Sequence, residues 1–194
     1  MASVAVLALL LGVSACGSDD DKADPKPTKT TASPTPTTPV QPKGADGVTY
    51  EIQNWDAYAD DPAVLAWKQA VEGVAGSTNA RKVLPSMRQG LSKSVLRTYV
   101  ASIKQAWKGD WHVDKVGDAK VQSVRTSGNQ ARMVVCVWNP TTVYYDKNNK
   151  PIGDPSRAEL STWARQKVTM RLTGGHWIMT AFKYSGKCPG GAPA

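Results

Sequence analysis

The stretch Ala164–Tyr184, ARQKVTMRLTGGHWIMTAFKY, decides the fold of this chain. Its first half alternates between a mostly apolar row and a polar row that carries Arg165, Lys167 and Arg171. In an extended segment such alternation places the two rows on opposite faces. Gly174-Gly175 supplies a tight turn, after which the chain returns beside the first segment. The stretch therefore predicts an antiparallel hairpin with one buried face and one basic face in water.

The same two-residue period continues upstream of this hairpin. Lys120–Thr126 and Ala131–Val137 both alternate, and Ser127-Gly128-Asn129 between them predicts a turn. Asp146–Lys150 is a second polar turn, with asparagines that tolerate positive φ. Together with the hairpin, these segments predict a meander of long antiparallel strands.

Nearer the N-terminus the apolar residues recur at helical spacing. Asp61-Pro62 predicts a helix start, with Asp as N-cap and Pro in the first turn, and Gly76-Ser77 predicts its end. A second helix is predicted from about Ser92 to Lys108, because its apolar residues share one face. Between the two, Arg81–Arg88 predicts another helical turn that Pro85 interrupts.

Helices followed by long strands predict an α+β fold in which N-terminal helices pack on one face of a curved antiparallel β-sheet. Val48–Ile52, near the start of the ordered part, is either a short strand or an extended lead-in. The element order, with the closing motif TGGHWI at Thr173–Ile178, resembles the nuclear-transport-factor-2-like (cystatin-like cone) superfamily over about residues 48–185. This resemblance implies a cone-like sheet around a pocket. One enzymatic branch uses a pocket carboxylate as base, but its pattern carries no catalytic residue over to this chain.

The N-terminus predicts export. Ala2–Ser14 is uncharged and too short to span a bilayer comfortably, which suits the apolar region of an export signal, although no Lys or Arg precedes it. The junction VSACG at Val13–Gly17 resembles a bacterial lipobox. That resemblance implies cleavage before Cys16 and a diacylglycerol on its thiol. An ordinary secretory signal followed by a chance cysteine is the alternative.

The predicted divisions follow from this junction. They are a signal peptide over residues 1–15, a lipidated Cys16 with a disordered Pro- and Thr-rich stalk over residues 16–45, and an α+β domain over residues 46–194. The chain is similar to small exported lipoproteins of Gram-positive bacteria that carry such a domain after a Thr/Pro stalk. This similarity implies a lipid-anchored position on the outer face of the cell membrane.

The formal net charge of +8 belongs to the predicted domain. The stalk, through Lys43, holds four Lys and four Asp, whereas the rest of the chain has 20 Lys or Arg and 12 Asp or Glu. An exported basic domain meets anionic lipids, anionic wall polymers and envelope proteins, which are the candidate partners. The alternative is that these charges only keep the surface solvated. Export and the lack of a basic cluster with interleaved aromatics argue against nucleic acid.

The number of cysteines in the chain is consistent with export. With Cys16 lipidated, Cys136 and Cys188 remain as an even pair, which in an oxidising compartment favours a disulfide over two free thiols. Zinc is not expected, because His112 and His176 stand at no metal-motif spacing from these cysteines.

Few acidic residues are candidates for catalysis: a loop cluster of Asp110, His112, Asp114 and Asp118, and two single carboxylates, Glu72 on the first helix and Glu159 at the start of a strand. The cluster is either an acid–base or metal site or a polar connecting loop. The single carboxylates face either the pocket mouth or solvent. No serine elbow, Cys–His pair or glycine-rich phosphate loop is present, so the sequence predicts no catalytic residue, no metal and no cofactor.

The aromatic residues are more informative, with seven Trp against one Phe. Trp67 and Trp107 lie on the apolar stripes of their helices and Trp177 lies on the closing strand, and core packing is the simplest interpretation of all three. Trp138, Tyr144, Tyr145 and Trp177 are the predicted ligand-binding residues, because aromatic walls with polar tips suit a small amphipathic ligand or a glycan. The alternative is that these rings only pack the cone and its rim.

Three function classes remain open. The first is a membrane-anchored, non-catalytic binding or accessory domain at the cell envelope. The second is an isomerase- or cyclase-like enzyme, which requires a carboxylate inside the cone with a raised pKa. The third is a structural component of an envelope assembly, which a large exposed apolar patch or self-association would indicate.

Overall fold

The computed structural model describes residues 39–193. This part of the chain is a mixed α+β domain whose strands and helices are β1 (Thr49–Ile52), α1 (Pro62–Asn79), α2 (Pro85–Gly90), α3 (Lys93–Gly109), β2 (Val116–Ser127), β3 (Gln130–Trp138), α4 (Arg157–Leu160), β4 (Trp163–Thr173) and β5 (His176–Cys188). The predicted signal peptide, Cys16 and most of the predicted stalk lie outside the described residues. No helix within residues 39–193 is long and apolar enough to cross a membrane.

The five strands form one sheet in the order β1-β2-β3-β4-β5. The pairs from β2 to β5 are antiparallel, as the alternation predicts. The sheet is not wholly antiparallel, however, because β1 pairs in parallel with β2, with Thr49 opposite Val116. Parallel neighbours need a long crossover, and α1, α2 and α3 supply it between these two strands.

The helix boundaries agree with the predicted ones to within one residue at three ends. The Asp61 carboxylate accepts hydrogen bonds from the backbone N–H groups of Ala63 and Val64, and Pro62 is the first residue of α1. Ser92 caps α3, which ends at Gly109. The Pro85 prediction is wrong, because this residue starts α2 instead of interrupting a helix. Proline is tolerated in the first turn, where its missing N–H has no helical partner.

The predicted end of α1 at Gly76-Ser77 is also wrong, since the helix continues to Asn79. Gly76 lies within the helix and is needed for close packing. A Cβ at this position would come within 2.6 Å of the Asp46 side chain, so the glycine permits a close approach between α1 and the N-terminal segment. Ser77 remains helical and donates its hydroxyl to the Gly73 carbonyl.

The core lies between the helices and the apolar row of the sheet. Trp67 and Val64 of α1 are fully buried, as is Ile103 of α3. The predicted alternation is confirmed in β3 and β4, where Met133 and Val168 are buried. This packing makes α1 the central helix, since nearly all of its sides are covered.

Contact with the domain begins earlier in the chain than Val48. The Gln41 side-chain oxygen accepts a hydrogen bond from the Ile52 N–H at 2.7 Å. The Gly44 N–H donates to the Thr49 hydroxyl at 3.2 Å. These bonds hold the segment that precedes β1 along that strand.

The predicted disulfide is confirmed, because Cys136 on β3 is bonded to Cys188 at the end of β5. Strands two places apart in a flat sheet are separated by about 10 Å, yet the two Cα atoms are 6.1 Å apart. The end of β5 therefore bends over β4, where the strand register shifts and Gly186 adopts φ +112°. Beyond the bridge, the Gly191 carbonyl accepts a hydrogen bond from the indole N–H of Trp163 at 2.7 Å.

Replacing both cysteines, Cys136→Ala with Cys188→Ala, is expected to lower the free energy of unfolding by about 4 kcal/mol, because the bridge restricts the unfolded chain over a long loop. Urea denaturation of the oxidised wild-type protein and the double variant measures this difference. Reductant should destabilise the wild type alone. A reduced wild type as stable as the oxidised form would contradict the prediction.

Candidate functional site

A cavity of about 290 Å³ lies between the helices and the inner face of the sheet. We call it the inner cavity. Its walls come from α1 (Val71, Val74, Ala75, Thr78), α3 (Tyr99, Ser102), the sheet (Tyr50, Val137, Gln166, Phe182) and the connecting segments (Val113, Thr142, Tyr144). The exposed residues Ser102, Thr142 and Phe182 mark the side on which it meets solvent.

The strand register explains how the sheet contributes to these walls. Val168 lies opposite Phe182 and Gln166 lies opposite Tyr184, so the apolar row of β4 continues across to β5. Gln166 brings an amide into that otherwise apolar row. At this end of the row Phe182 remains 38% exposed, so its ring is available at the edge of the cavity.

Two ring–ring contacts and one hydrogen bond hold the rings of the inner cavity in place. Tyr99 of α3 stacks on Phe182 of β5, with ring centroids 5.0 Å apart and an interplanar angle of 16°. The hydroxyl groups of Tyr144 and Ser102 are 2.9 Å apart, which links α3 to the segment after β3. The Tyr50 ring meets Trp67 edge-on at 6.4 Å. The cavity is therefore bounded by rings that the fold has already oriented.

The inner cavity is uncharged. No Asp, Glu, Lys, Arg or His is among its lining residues. Burial raises the pKa of Tyr99 well above its ordinary value, and the neighbouring phenols of Tyr50 and Tyr144 raise it further. The Tyr99 phenol consequently stays neutral at physiological pH. Apolar walls with a few hydroxyl groups and one amide suit a neutral ligand and offer no charged group for acid–base chemistry.

The four aromatic residues predicted to bind a ligand do not line one cavity. Tyr144 lines the inner cavity, whereas Trp177 lines a separate groove described below. Trp138 packs edge-on against Trp163, with ring centroids 5.2 Å apart. Tyr145 lies beside His112, with ring centroids 6.0 Å apart. The structure thus brings only one of the predicted residues into the inner cavity.

Sequence reasoning missed three rings of the inner cavity, Tyr50, Tyr99 and Phe182. Tyr99 stood in the apolar stripe of its helix, where it is indistinguishable from a core residue. Phe182 carried a clearer signal, because it falls in the inner row of the closing strand beside the exposed Tyr184. Combining that row with the face of α3 would have indicated an aromatic edge.

A larger groove of about 970 Å³ lies between residues 42–46, α1, α2 and the β4–β5 hairpin, whose Trp177 lines it. We call it the hairpin groove. Lys68 and Glu72, one helical turn apart on α1, form an ion pair at its base. Lys68 is fully buried and Glu72 is 4% exposed. Glu72 therefore lies neither at a pocket mouth nor in solvent, which corrects the sequence-based expectation.

Glu72 also connects α1 to the sheet. Its carboxylate accepts a hydrogen bond from the Tyr50 N–H of β1 at 2.9 Å. Burial raises the pKa of Glu72, although Lys68 and the Tyr50 N–H oppose the shift by stabilising the carboxylate. Because Lys68 and Glu72 are both buried, removing one partner leaves an uncompensated group in the interior.

The loop carboxylates do not converge. Asp110 forms an ion pair with Arg81, and His112 is hydrogen-bonded to the Asn149 side chain at 3.1 Å. Asp118 accepts from the Gln53 amide at 3.4 Å. Within residues 39–193, no group of three His, Cys, Asp or Glu residues is arranged to hold a metal ion. Asp118 lies within β2 and not in the connecting loop predicted from the sequence, whereas the contacts of Asp110 and His112 fit a polar connecting loop.

The placement of Glu159 at the start of a strand is wrong. Glu159 belongs to α4, where it forms a capping box with Ser156. The Ser156 hydroxyl accepts from the Glu159 N–H, while the Glu159 carboxylate accepts from the Ser156 N–H at 2.8 Å. This reciprocal capping satisfies backbone donors at the helix start. The Ser156 hydroxyl also donates to the Glu159 carboxylate at 2.8 Å, and this bond, together with the one from the Ser156 N–H, lowers the pKa of Glu159.

Comparison with known proteins gives only distant structural likenesses. No protein-family model and no curated protein matches the chain. The intermembrane space region of chloroplast protein ARC6 aligns with a TM-score of 0.45 and 13% identity, over 69% of this chain and 97% of that one. A SEC-C motif containing protein from Rhodopseudomonas palustris aligns with a TM-score of 0.40 and 9% identity, over 67% of this chain and 85% of that one. A putative NTF2-like transpeptidase from Campylobacter jejuni aligns with a TM-score of 0.33 and 14% identity, over 63% of this chain and 99% of that one. These low scores carry no conclusion about function.

Removing one partner of the buried Lys68–Glu72 ion pair should lower the free energy of unfolding strongly, whereas replacing both charged side chains should not. Glu72→Gln alone is expected to lower the free energy of unfolding by about 3–5 kcal/mol, because Lys68 is left buried without a counter-charge. Combining Lys68→Met with Glu72→Gln removes both charges and retains an acceptor for the Tyr50 N–H. The double variant should therefore recover most of the loss in chemical denaturation. A double variant no more stable than Glu72→Gln would argue against this account.

Proposed function

We propose that this chain is an exported, membrane-anchored lipoprotein whose α+β domain is a non-catalytic binding module. The domain is of the cone-like, nuclear-transport-factor-2-like type and takes a small neutral ligand into the inner cavity. The observation that carries the proposal is the lining of that cavity, in which ring walls and hydroxyl groups occur without a charged side chain. Such a lining favours a ligand with an aromatic or sugar ring, because rings stack on Tyr and Phe while hydroxyl groups orient them.

The size of the inner cavity limits the ligand. Its 290 Å³ is at the lower end of the range for small-molecule pockets, which is about 300–1,000 Å³. The partial exposure of Phe182 and Ser102 on the solvent side gives a ligand a way in. A ligand of one or two rings fits this volume, whereas a long acyl chain or an extended peptide does not.

Binding is favoured over isomerase-like catalysis. That chemistry needs a carboxylate within reach of a bound substrate, and the inner cavity has none among its lining residues. Glu72, which is the buried carboxylate among residues 39–193, lines the hairpin groove and is paired with Lys68. In that position it is a structural group.

Filling the inner cavity should abolish binding. The neutral fluorophore 1-aminonaphthalene, which has two fused rings, serves as the probe. Ala75→Leu places extra carbon atoms in the cavity and is expected to weaken binding of the probe at least tenfold, as measured by fluorescence titration. Ala101→Leu, on the exposed side of α3, is the matched control and should bind like the wild type.

Thermal unfolding of both variants separates a filled cavity from a damaged fold, since overpacking typically costs about 1–3 kcal/mol. If Ala75→Leu is folded and binds the probe as the wild type does, the probe lies elsewhere and the proposed site is rejected. Failure of the folded wild type to bind any ring-containing neutral probe would also count against the proposal.

The anchor is tested separately at Cys16. Cys16→Ala is expected to move the protein from the membrane fraction to the medium, because lipid attachment to the thiol is lost. Ser18→Ala, two residues away, should remain in the membrane fraction. The intact mass of the wild-type protein should correspond to a chain that begins at a diacylglycerol-bearing Cys16. A Cys16→Ala protein that is still firmly membrane-bound would refute the lipoprotein assignment.

A further inference from the structure

We propose that the outer face of the sheet is a docking surface for anionic phospholipid headgroups. This surface, the basic face, consists of the exposed side chains of Arg125, Arg132, Arg165, Lys167, Arg171 and Lys183. It lies on the opposite side of the sheet from the inner cavity. The proposal therefore stands independently of any ligand in that cavity.

Most of the excess positive charge of the domain lies in strands β2–β5, which contribute all six residues of the basic face together with Lys120 and Lys187. Strands β2–β5 contain eight Lys or Arg residues and one acidic residue, Asp118. The chain after the stalk has 20 basic and 12 acidic residues, so 12 basic and 11 acidic residues remain outside these strands. The rest of the domain is nearly neutral, and the excess positive charge is concentrated in the sheet.

The strand register spreads these cations in two dimensions. Arg125 of β2 lies opposite Arg132 of β3, and Lys167 of β4 lies opposite Lys183 of β5. Residues directly opposite on neighbouring strands point to the same face. Arg165 and Arg171 extend the row of β4 in both directions. With strands about 4.8 Å apart and same-face residues about 6.7 Å apart along each strand, the cations cover an area and not a line.

These charges have no counter-charge within the described part of the chain. The ion pairs there are Lys68–Glu72 and Arg81–Asp110, and neither lies on the basic face. Like charges directly opposite each other on a sheet are destabilising. The pairs Arg125–Arg132 and Lys167–Lys183 therefore repel each other in the isolated domain, and a dense anionic surface would relieve that repulsion.

A lipid surface fits this arrangement better than a linear polyanion. A polymer chain contacts cations along one path, while a membrane presents headgroups to all six at once. None of the six cations lines the inner cavity or the hairpin groove, the two recessed sites described above. Each basic residue near an anionic bilayer contributes about 1 kcal/mol, so several together give measurable attraction.

The test uses the full chain with Cys16→Ser, so that no lipid is attached and the same N-terminus is present in every sample. Co-sedimentation with vesicles of phosphatidylcholine alone, and with about one third phosphatidylglycerol, gives the binding that depends on anionic lipid. The sheet variant combines Arg125→Gln, Arg132→Gln, Lys167→Gln and Lys183→Gln. It is expected to lose that dependence, with binding to the anionic vesicles reduced at least tenfold.

The matched control combines four substitutions to Gln on the exposed face of α3, at Lys93, Arg97, Lys104 and Lys108. It has the same net charge as the sheet variant and should keep the anionic-lipid dependence. Binding of the unsubstituted protein should fall as salt is raised from about 50 mM to about 200 mM, because screening weakens exposed charges. The sheet variant should melt no lower than the control, since its substitutions remove two repulsive pairs.

Three results would overturn the proposal. The first is equal loss of binding in both variants, which would make net charge and not the basic face responsible. The second is no preference of the unsubstituted protein for anionic vesicles. The third is binding of poly(glycerol phosphate) that the sheet variant loses while vesicle binding is unchanged, which would assign the face to a wall polymer.

Discussion

The carboxylate of Glu72, shared between Lys68 and the Tyr50 N–H, is the interaction on which the rest of the structure depends. It fixes the central helix α1 to β1, and β1 in turn pairs in parallel with β2. Tyr50, whose N–H donates to the Glu72 carboxylate, directs its ring into the inner cavity against Trp67. One buried ion pair beneath the hairpin groove thereby sets the position of an aromatic wall in the other cavity.

The sheet separates two kinds of surface by the period of its strands. In β4 the inner row, with Val168 and Met170, is buried, and the outer row carries Arg165, Lys167 and Arg171. A ligand site and a charged surface can therefore be altered independently, because substitutions on one row do not touch the other. We infer that the two rows have separate roles: the inner row shapes a neutral site, and the outer row supplies charge.

Features with a local cause were predictable from the sequence. The alternation in β3 and β4, the Asp61 cap and the Cys136–Cys188 pairing were all predicted, since each depends on neighbouring residues or on simple counting. The parallel pairing of β1 and the Tyr99–Phe182 stack were not, because they join segments far apart in the chain. Glu72 was considered only as a single carboxylate, and its burial with Lys68 was not predicted, since an i, i+4 pair has the same spacing on a buried helix as on an exposed one. Only Tyr144 of the inner cavity was anticipated, and its partner Ser102 becomes evident only once α3 is placed.

The bend that the disulfide imposes on β5 also bears on how copies of the domain behave beside one another. β5, spanning His176–Cys188, is one of the two edge strands and the longest strand of the sheet, and Leu91 bridges its outer edge at Met179. A long flat edge exposes unpaired backbone groups and invites a second chain to add a strand. Because the bridge to Cys136 draws the end of β5 over β4, with Lys183 and Lys187 along it, the straight part of that edge is shortened and charged. This end of β5 is therefore a poor template for strand addition by a neighbouring copy of the domain.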